Sequence, residues 1–191
     1  MLDSVSVRKL EILSAGITRC KKCTRIRKNG IAVPFWSGSA KYISLAEAPG
    51  KDEVEQGTPL VGSAGQMWER MIKKYGFERA DFILINATQC RPLNGSRNGK
   101  PTREEVETCS FWVSQFIMAS GLKHIVAFGN YAMQSLFDEG IGIKSKCGSR
   151  RLYGHGIKVY PCVHPASLIY HPEDVVLFKR SMKRFRKETA P

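Results

Sequence analysis

The sequence predicts an α/β sandwich, in which helices pack against a mostly parallel β-sheet. Short β-like runs alternate with helical segments along the whole chain, an order that is typical of parallel sheets. One run, residues 82–85, is continuously apolar (FILI), as expected of a strand that is buried on both faces. The chain has 191 residues, of which 42% are hydrophobic, so it can form one compact core. No internal repeat or linker divides it.

Four strands are predicted, and the residues that follow three of them are polar or turn-forming. The predicted strands are residues 42–46, 82–85, 125–128 and 158–163. The first ends at the turn Glu47-Ala48-Pro49-Gly50, the second at Asn86, and the fourth at His164-Pro165. Because parallel α/β folds bind ligands at the carboxyl ends of their strands, these residues are the candidate site. Residues 91–100 are expected to form a loop.

Helices are predicted from their apolar periodicity and their capping residues. They are expected over residues 4–16, from Ser63 to Gly76, from Thr102 onward, and from Pro172 towards the C-terminus. Ser63 with Gln66, and Thr102 with Glu105, are capping-box patterns that predict where two of these helices begin. On the third helix, Cys109 shares a face with apolar residues, so its thiol is expected to point inward.

The net charge points towards a polyanionic partner. Thirty Lys and Arg against seventeen Asp and Glu give +13, with an isoelectric point near 9.7. Such a field attracts nucleic acid before any specific contact forms, although a basic surface can also serve solubility alone. The sequence contains no run of eighteen apolar residues and no secretory signal pattern. We therefore expect a cytoplasmic protein without a membrane span. Association with the nucleoid and a viral protein that acts in a host cell remain open alternatives.

Six cysteines are present, and two of them form a C-x-x-C pair, Cys20 and Cys23. In a reducing compartment such a pair is more typical of a metal site than of a disulfide. The pair fits half of a zinc site, half of an iron–sulfur site or a redox pair. Cys90 and Cys109 are the candidates for two further ligands, because no second C-x-x-C is present.

Three sequence blocks that follow the C-x-x-C pair resemble the family 4 uracil-DNA glycosylases. They are LAEAPGKDEVEQGTPLVGSAGQ (45–66), NATQCRP with PTREEVETC (86–92 and 101–109) and VHPASLI (163–169). The resemblance implies one domain over 1–191, a three-layer α/β/α sandwich around a four-stranded sheet, and a monomer that excises uracil from DNA. It also implies a 4Fe–4S cluster held by Cys20, Cys23, Cys90 and Cys109.

The resemblance also implies the role of each catalytic residue. Asn86 reads the Watson–Crick edge of uracil, and His164 donates to uracil O2 as negative charge develops there. Glu47 positions water or the base near the sugar carbon, while Glu53 lies beside C5 and excludes the thymine methyl group. Three of these residues also have a purely structural interpretation. Asn86 could cap a turn, His164 could be an ordinary turn residue, and Glu53 could complement the dipole of a helix from its first turn.

The remaining substrate-binding candidates line the same predicted turns. Ala48 and Gly50 belong to the first turn, Leu60 is expected to contact the base, and Leu168 is expected either to enter the gap left by a flipped nucleotide or to be core. The family usually has Phe at position 60, Gly at 46 and Arg at 170, whereas this chain has Leu, Ala and Tyr. These departures keep two rival hypotheses open: a catalytically weak or inactive superfamily member that binds nucleic acid or a repair partner, and a zinc-stabilised basic binding module.

Overall fold

A computed structural model of the protein describes residues 2–137 and 142–189. Its centre is a five-stranded sheet in the order β2-β1-β5-β7-β6, with a separate two-stranded hairpin β3-β4. The strands are β1 (Tyr42–Ala46), β2 (Phe82–Asn86), β3 (Leu93–Asn94), β4 (Arg97–Asn98), β5 (His124–Phe128), β6 (Arg151–Tyr153) and β7 (Ile157–Cys162).

Helices surround this sheet, and short helical turns connect it to the site. The helices are α1 (Ser4–Arg19), α2 (Thr24–Arg27), α3 (Lys51–Gln56), α4 (Ser63–Lys73), α5 (Arg103–Ser120), α6 (Gly129–Phe137), α7 (Ile143–Lys146), α8 (Ser167–Tyr170) and α9 (Val175–Thr189), with 3₁₀ turns at Arg79–Asp81 and Pro172–Asp174. Within the described residues, none of these helices is both long and apolar enough to cross a membrane.

The predicted α/β architecture is confirmed, and the four predicted strands are the parallel part of the sheet. β1 pairs in parallel with β2 and β5, and β5 pairs in parallel with β7. The structure adds β6, an antiparallel edge strand of three residues that pairs with β7. β6 is too short and too exposed to show an apolar pattern in the sequence.

Two local predictions need correction. Residues 91–100 contain the hairpin β3-β4, which is fastened by a 2.8 Å bond from Arg91 Nε to the side-chain oxygen of Asn98. Helix α4 begins at Ser63, but its N-cap is Gly62 and no side chain caps it. The cap predicted at Thr102 is confirmed, because its Oγ1 accepts from Glu105 N at 3.2 Å while a Glu105 carboxylate oxygen accepts from Thr102 N at 2.8 Å.

An aromatic cluster attaches the C-terminal helix to the sheet. The ring of Phe185 in α9 lies 5.0–6.1 Å from those of Tyr42, Phe77, Phe82 and Tyr160. Edge-on and tilted contacts of this kind add to the free energy gained by burying the rings. The cluster lies near the amino ends of β1 and β2, so it leaves the carboxyl edge of the sheet free for a site.

Candidate active site and cysteine pocket

A pocket opens where the carboxyl ends of the parallel strands meet. Ala46 and Asn86 are register partners at the ends of β1 and β2, and His164 follows β7. The pocket has a cavity volume of about 250 Å³, close to the lower end of the range for ligand sites. Of the predicted site residues, those that line it are Ala48, Gly50, Glu53, Leu60, Asn86 and His164.

Asn86 contributes a buried amide to the pocket. Its residue surface is only 2% exposed, and its backbone carbonyl accepts from the side chain of Gln89. Its Nδ2 has no hydrogen-bond partner among the described residues. A buried donor without a partner costs about 1–3 kcal/mol, so a ligand that accepts from this nitrogen would remove that penalty.

His164 is held as a neutral ring with a defined tautomer. Desolvation lowers its pKa from 6.5 to about 4, so the ring is uncharged at neutral pH. The backbone N–H of Ala166 donates to Nδ1 at 3.3 Å. Because Nδ1 is the acceptor in this bond, the ring proton lies on Nε2, which is left as the donor.

Glu47 lies next to the pocket, between the lining residues Ala46 and Ala48, but is not itself one of the lining residues. Its carboxyl group is partly buried, and desolvation raises its pKa above the ordinary value. The positive charge of Lys100 opposes this shift, which places that lysine within electrostatic reach of Glu47.

Glu53 joins the two loops that form one wall of the pocket. One carboxylate oxygen accepts from Gly50 N at 3.0 Å and the other accepts from Gly62 N at 3.2 Å. The first bond belongs to the capping box of α3, so the helix-terminal role considered for Glu53 is observed. The side chain also lines the pocket, so its predicted role in excluding a methyl group stays a prediction.

Leu60 lies in a loop whose backbone conformation is unusual. Its φ of 57° is in the left-handed region, and its side chain is 4% exposed. Arg79 holds the loop, since one guanidinium nitrogen donates to Leu60 O at 2.7 Å and the other to Pro59 O at 2.6 Å. Glu69 pairs with the same guanidinium at 3.0 Å. Sequence analysis missed Arg79, because nothing in its neighbourhood predicts a contact with a loop nineteen residues earlier.

Leu168 does not lie in the pocket. It is 6% exposed and belongs to the hydrophobic core, which agrees with the core alternative. The residues that protrude from this turn are Ile169 and Tyr170, and Tyr170 lines the pocket. Periodicity could not distinguish these positions, because α8 is only four residues long.

The four predicted ligand cysteines line a second pocket. Cys20 follows α1, Cys23 precedes α2, Cys90 follows β2, and Cys109 is on α5 with 8% of its surface exposed. The inward orientation of Cys109 is therefore confirmed. Its thiol accepts a 3.4 Å bond from the backbone N–H of Gln89.

The cysteine pocket is apolar, with Ile17, Ile26 and Trp112 in its walls. Desolvation raises the pKa of Cys90 to about 11 and that of Cys109 to about 12. Within the described ranges, no group of three or more His, Cys, Asp or Glu side chains is arranged to hold a single metal ion.

Comparison with known proteins identifies the family. The model of the uracil DNA glycosylase superfamily matches residues 34–189. The chain belongs to the uracil DNA glycosylase superfamily. Among its relatives, the type-4 uracil-DNA glycosylase of Saccharolobus solfataricus is 33% identical over 85% of this chain and 78% of that protein. Those of Archaeoglobus fulgidus (82% of this chain, 81% of the relative) and Pyrobaculum aerophilum (92% of each) are also 33% identical.

Membership in the superfamily confirms the resemblance on which the site residues were chosen. In this superfamily member the strand ends bring Asn86 and His164 to one pocket, with Glu47 beside it. The structure adds Lys51, Asp52 and Asn98 to the lining residues. Asn98 was not predicted because it reaches the pocket from the hairpin β3-β4, a segment that was expected to be an irregular loop.

Gly65→Ala is expected to destabilise the protein, although alanine normally favours a helix. A Cβ at this position would lie 1.9 Å from Leu60 O, a backbone atom held by Arg79. We expect a loss of about 2 kcal/mol or more in the free energy of unfolding, measured by urea denaturation. Gly38→Ala is the matched control, because no atom lies within 4 Å of its Cβ. Equal stability of the two variants would contradict the close approach.

Proposed function

We propose that this protein is a monofunctional uracil-DNA glycosylase, which hydrolyses the N-glycosidic bond of uracil in DNA and leaves an abasic site. The observation that carries the proposal is the buried Asn86 Nδ2, which has no partner within the described chain although it belongs to a ligand-sized pocket. The related type-4 enzymes, which carry uracil-DNA glycosylase in their names, support the same activity.

Recognition of the base starts from its removal from the duplex. A base that is stacked and paired cannot enter a concave pocket, so the nucleotide must flip out of the helix. Asn86 can then donate from Nδ2 to uracil O4 and accept at Oδ1 from N3–H. Cytosine presents an amino donor and a ring acceptor at these positions, so it mismatches both groups of the amide.

Stabilisation of the leaving group is assigned to His164. As the bond between sugar C1′ and base N1 breaks, its electron pair passes to the base and negative charge develops on O2. The neutral His164 ring offers its Nε2–H to this oxygen, and the Ala166 N–H bond to Nδ1 keeps that tautomer. A preorganised donor of this type is worth about 10²- to 10³-fold in rate.

Glu47 is assigned to the sugar side of the reaction. A carboxylate beside C1′ stabilises the positive charge that develops on the sugar and orients the water whose oxygen bonds to C1′. Glu53 and Leu60 shape the wall of the pocket against the base, with Glu53 near C5 as the predicted barrier to thymine. Ala48 and Gly50 supply backbone close to the substrate.

The four cysteines are proposed to hold a 4Fe–4S cluster, which would supply a structural crosslink between α1, α2, the end of β2 and α5. Four thiols that line one apolar pocket supply the Cys₄ ligand set of a 4Fe–4S cluster. Zinc also binds four thiolates, so the metal content decides between the two.

The proposed partner is uracil-containing DNA, and the net charge of +13 supports attraction to its phosphates. We further propose that the enzyme acts as a monomer in the cytoplasm.

Excision should depend on the two pocket residues in different ways. Asn86→Ala is expected to abolish selective removal of uracil, whereas His164→Ala should lower the single-turnover rate by about 10²-fold or more and leave DNA affinity nearly unchanged. The assay is alkaline cleavage of a uracil-containing oligonucleotide after incubation. His155→Ala replaces an exposed histidine of a turn and is the matched control. If the wild type, with its cluster intact, leaves uracil in both single- and double-stranded DNA, the binding-module alternative is correct.

The pH dependence of the single-turnover rate should reflect Glu47 rather than His164. The pKa of His164 is lowered to about 4, so its ring stays neutral as pH falls through 6.5 and the rate should show no inflection there. The pKa of Glu47 is raised above its ordinary value. As the pH falls, its carboxylate should therefore be protonated, and the rate should decline, at a higher pH than for an ordinary glutamate. Glu47→Gln should remove this acid limb. A ¹⁵N titration that places the His164 pKa near 6.5 would contradict the desolvated ring.

The metal content is expected to separate a cluster from zinc. Anaerobically purified protein should contain iron and acid-labile sulfide, with a visible absorption band. Cys109→Ala should lose iron and the fold around the site, whereas Cys147→Ala, which removes a buried thiol outside the cysteine pocket, should retain iron. Stoichiometric zinc without sulfide in the wild type would overturn the cluster proposal.

A further inference from the structure

Tyr170 is an exposed aromatic residue at the rim of the candidate active site. It lines the pocket together with His164 and Asn86, yet 75% of its surface is exposed. Within the described residues its hydroxyl group has no hydrogen-bond partner and its ring has no aromatic neighbour. A single exposed apolar residue is ordinary on a protein surface, but here the ring belongs to the wall of a substrate pocket.

Hydrogen bonds, an ion pair and a core contact hold the turn that carries Tyr170. Ser167 Oγ donates to the Asp174 carboxylate, which also pairs with Lys144 at 2.7 Å. The backbone N–H of His171 donates to Ser167 O at 2.7 Å, and Leu168 anchors the turn in the core. An aromatic ring with two side-chain torsions on a fixed backbone loses little entropy when it is covered, which favours a contact surface.

The Leu60 loop, which also lines the pocket, has no aromatic ring that could stack on a base. Leu60 supplies only aliphatic contact, and Arg79 holds its backbone, so the residue cannot shift without breaking these bonds. Among the described lining residues, Tyr170 is the only Phe, Tyr or Trp, and the other ring is the His164 imidazole, which is assigned to uracil O2. Tyr170 is therefore the ring that is available for stacking at the mouth of the pocket.

We propose that Tyr170 is the stacking platform of this enzyme, which covers the π face of an unstacked nucleobase at the mouth of the pocket. The inference rests on the proposed function, since it needs DNA with a displaced base as the ligand. The stacked base is either the flipped uracil or the base beside it, which loses a stacking partner when the uracil flips out. The stacking chemistry is the same for both.

The test measures binding rather than excision. The probe is a single-stranded oligonucleotide with a 2′-fluoroarabino analogue of deoxyuridine, which binds without reaction, and 2-aminopurine beside it. Tyr170→Ala should raise the dissociation constant by about fivefold or more, the lower limit for loss of one base–aromatic stack, and should reverse the quenching of 2-aminopurine. Tyr170→Phe should remain within about twofold of the wild type. Leu152→Ala, which truncates an exposed side chain on edge strand β6, is the matched control.

Salt dependence distinguishes stacking from charge. Tyr170→Phe and Tyr170→Ala should keep the wild-type slope of log Kd against log salt concentration, whereas Tyr170→Arg should steepen it by about 0.7, the value for one phosphate of a single strand.

Competition between free uracil and the oligonucleotide identifies the stacked base. If free uracil inhibits oligonucleotide binding less in Tyr170→Ala than in the wild type, the ring stacks on the flipped uracil. If this inhibition is unchanged while the oligonucleotide binds more weakly, the ring stacks on the neighbouring base. Both outcomes support stacking.

Two results would overturn the inference. The first is wild-type affinity in Tyr170→Ala, and the second is an equal loss in Tyr170→Phe and Tyr170→Ala, which would assign the contact to the hydroxyl group. Because the probe resists hydrolysis and needs no chemistry, these results are separable from a failure of the proposed function. A wild type that binds the probe through Tyr170 but excises no uracil would contradict the enzyme proposal alone.

Discussion

Parallel pairing of β1 with β2 is the constraint on which the site depends. In a parallel pair the carboxyl ends lie at the same edge, so the register that places Ala46 opposite Asn86 also places the Glu47 turn beside the amide of Asn86. β5 and β7 continue the parallel order and bring His164 to that edge. A register shift of one residue would turn Asn86 to the other face of the sheet and separate it from His164. β2 is buried on both faces, so its backbone pairing with β1, and not an alternating hydrophobic pattern, fixes the geometry of recognition.

Desolvation gives the assembled groups their chemical character. The same apolar surroundings that raise the pKa of Glu47 lower that of His164, because burial disfavours the charged form of each group. His164 is therefore a neutral donor. Burial disfavours the charged form of Glu47, whereas the positive charge of Lys100 favours it. A neutral ring suits a leaving group whose negative charge develops partly on O2, since the hydrogen bond strengthens during the reaction without a proton having to move. The buried Asn86 amide follows the same logic under the proposed function, because its Nδ2 has no partner within the described chain and a bound base would supply one.

The sequence predicted the sheet and its edge well, and local geometry less well. The apolar run of β2 and the Thr102–Glu105 capping box carry their signal within a few residues, so both were confirmed. The N-cap predicted at Ser63 was wrong by one residue, because Gly62 takes that position with its backbone N–H bound by Glu53. Three features depend on contacts between distant segments. They are the hydrogen bond from Arg79 to Leu60 O, the left-handed backbone of Leu60, and the burial of Leu168 while Tyr170 is exposed. No single-sequence pattern reports such contacts.

The cysteine pocket and the candidate active site share one stretch of chain, so the proposed cluster would have a structural role that bears on the mechanism. Residues 90–109 begin and end with a proposed cluster ligand, and between them the hairpin β3-β4 places Asn98 in the wall of the candidate active site. Arg25 follows Cys23 by two residues, and it bonds both to Lys100 O at 3.3 Å and to the capping carboxylate of Glu105. Lys100 in turn acts on Glu47. A crosslink at the four thiols would therefore restrain both the hairpin and the lysine, so the cluster can support catalysis through position alone, without any change in its oxidation state.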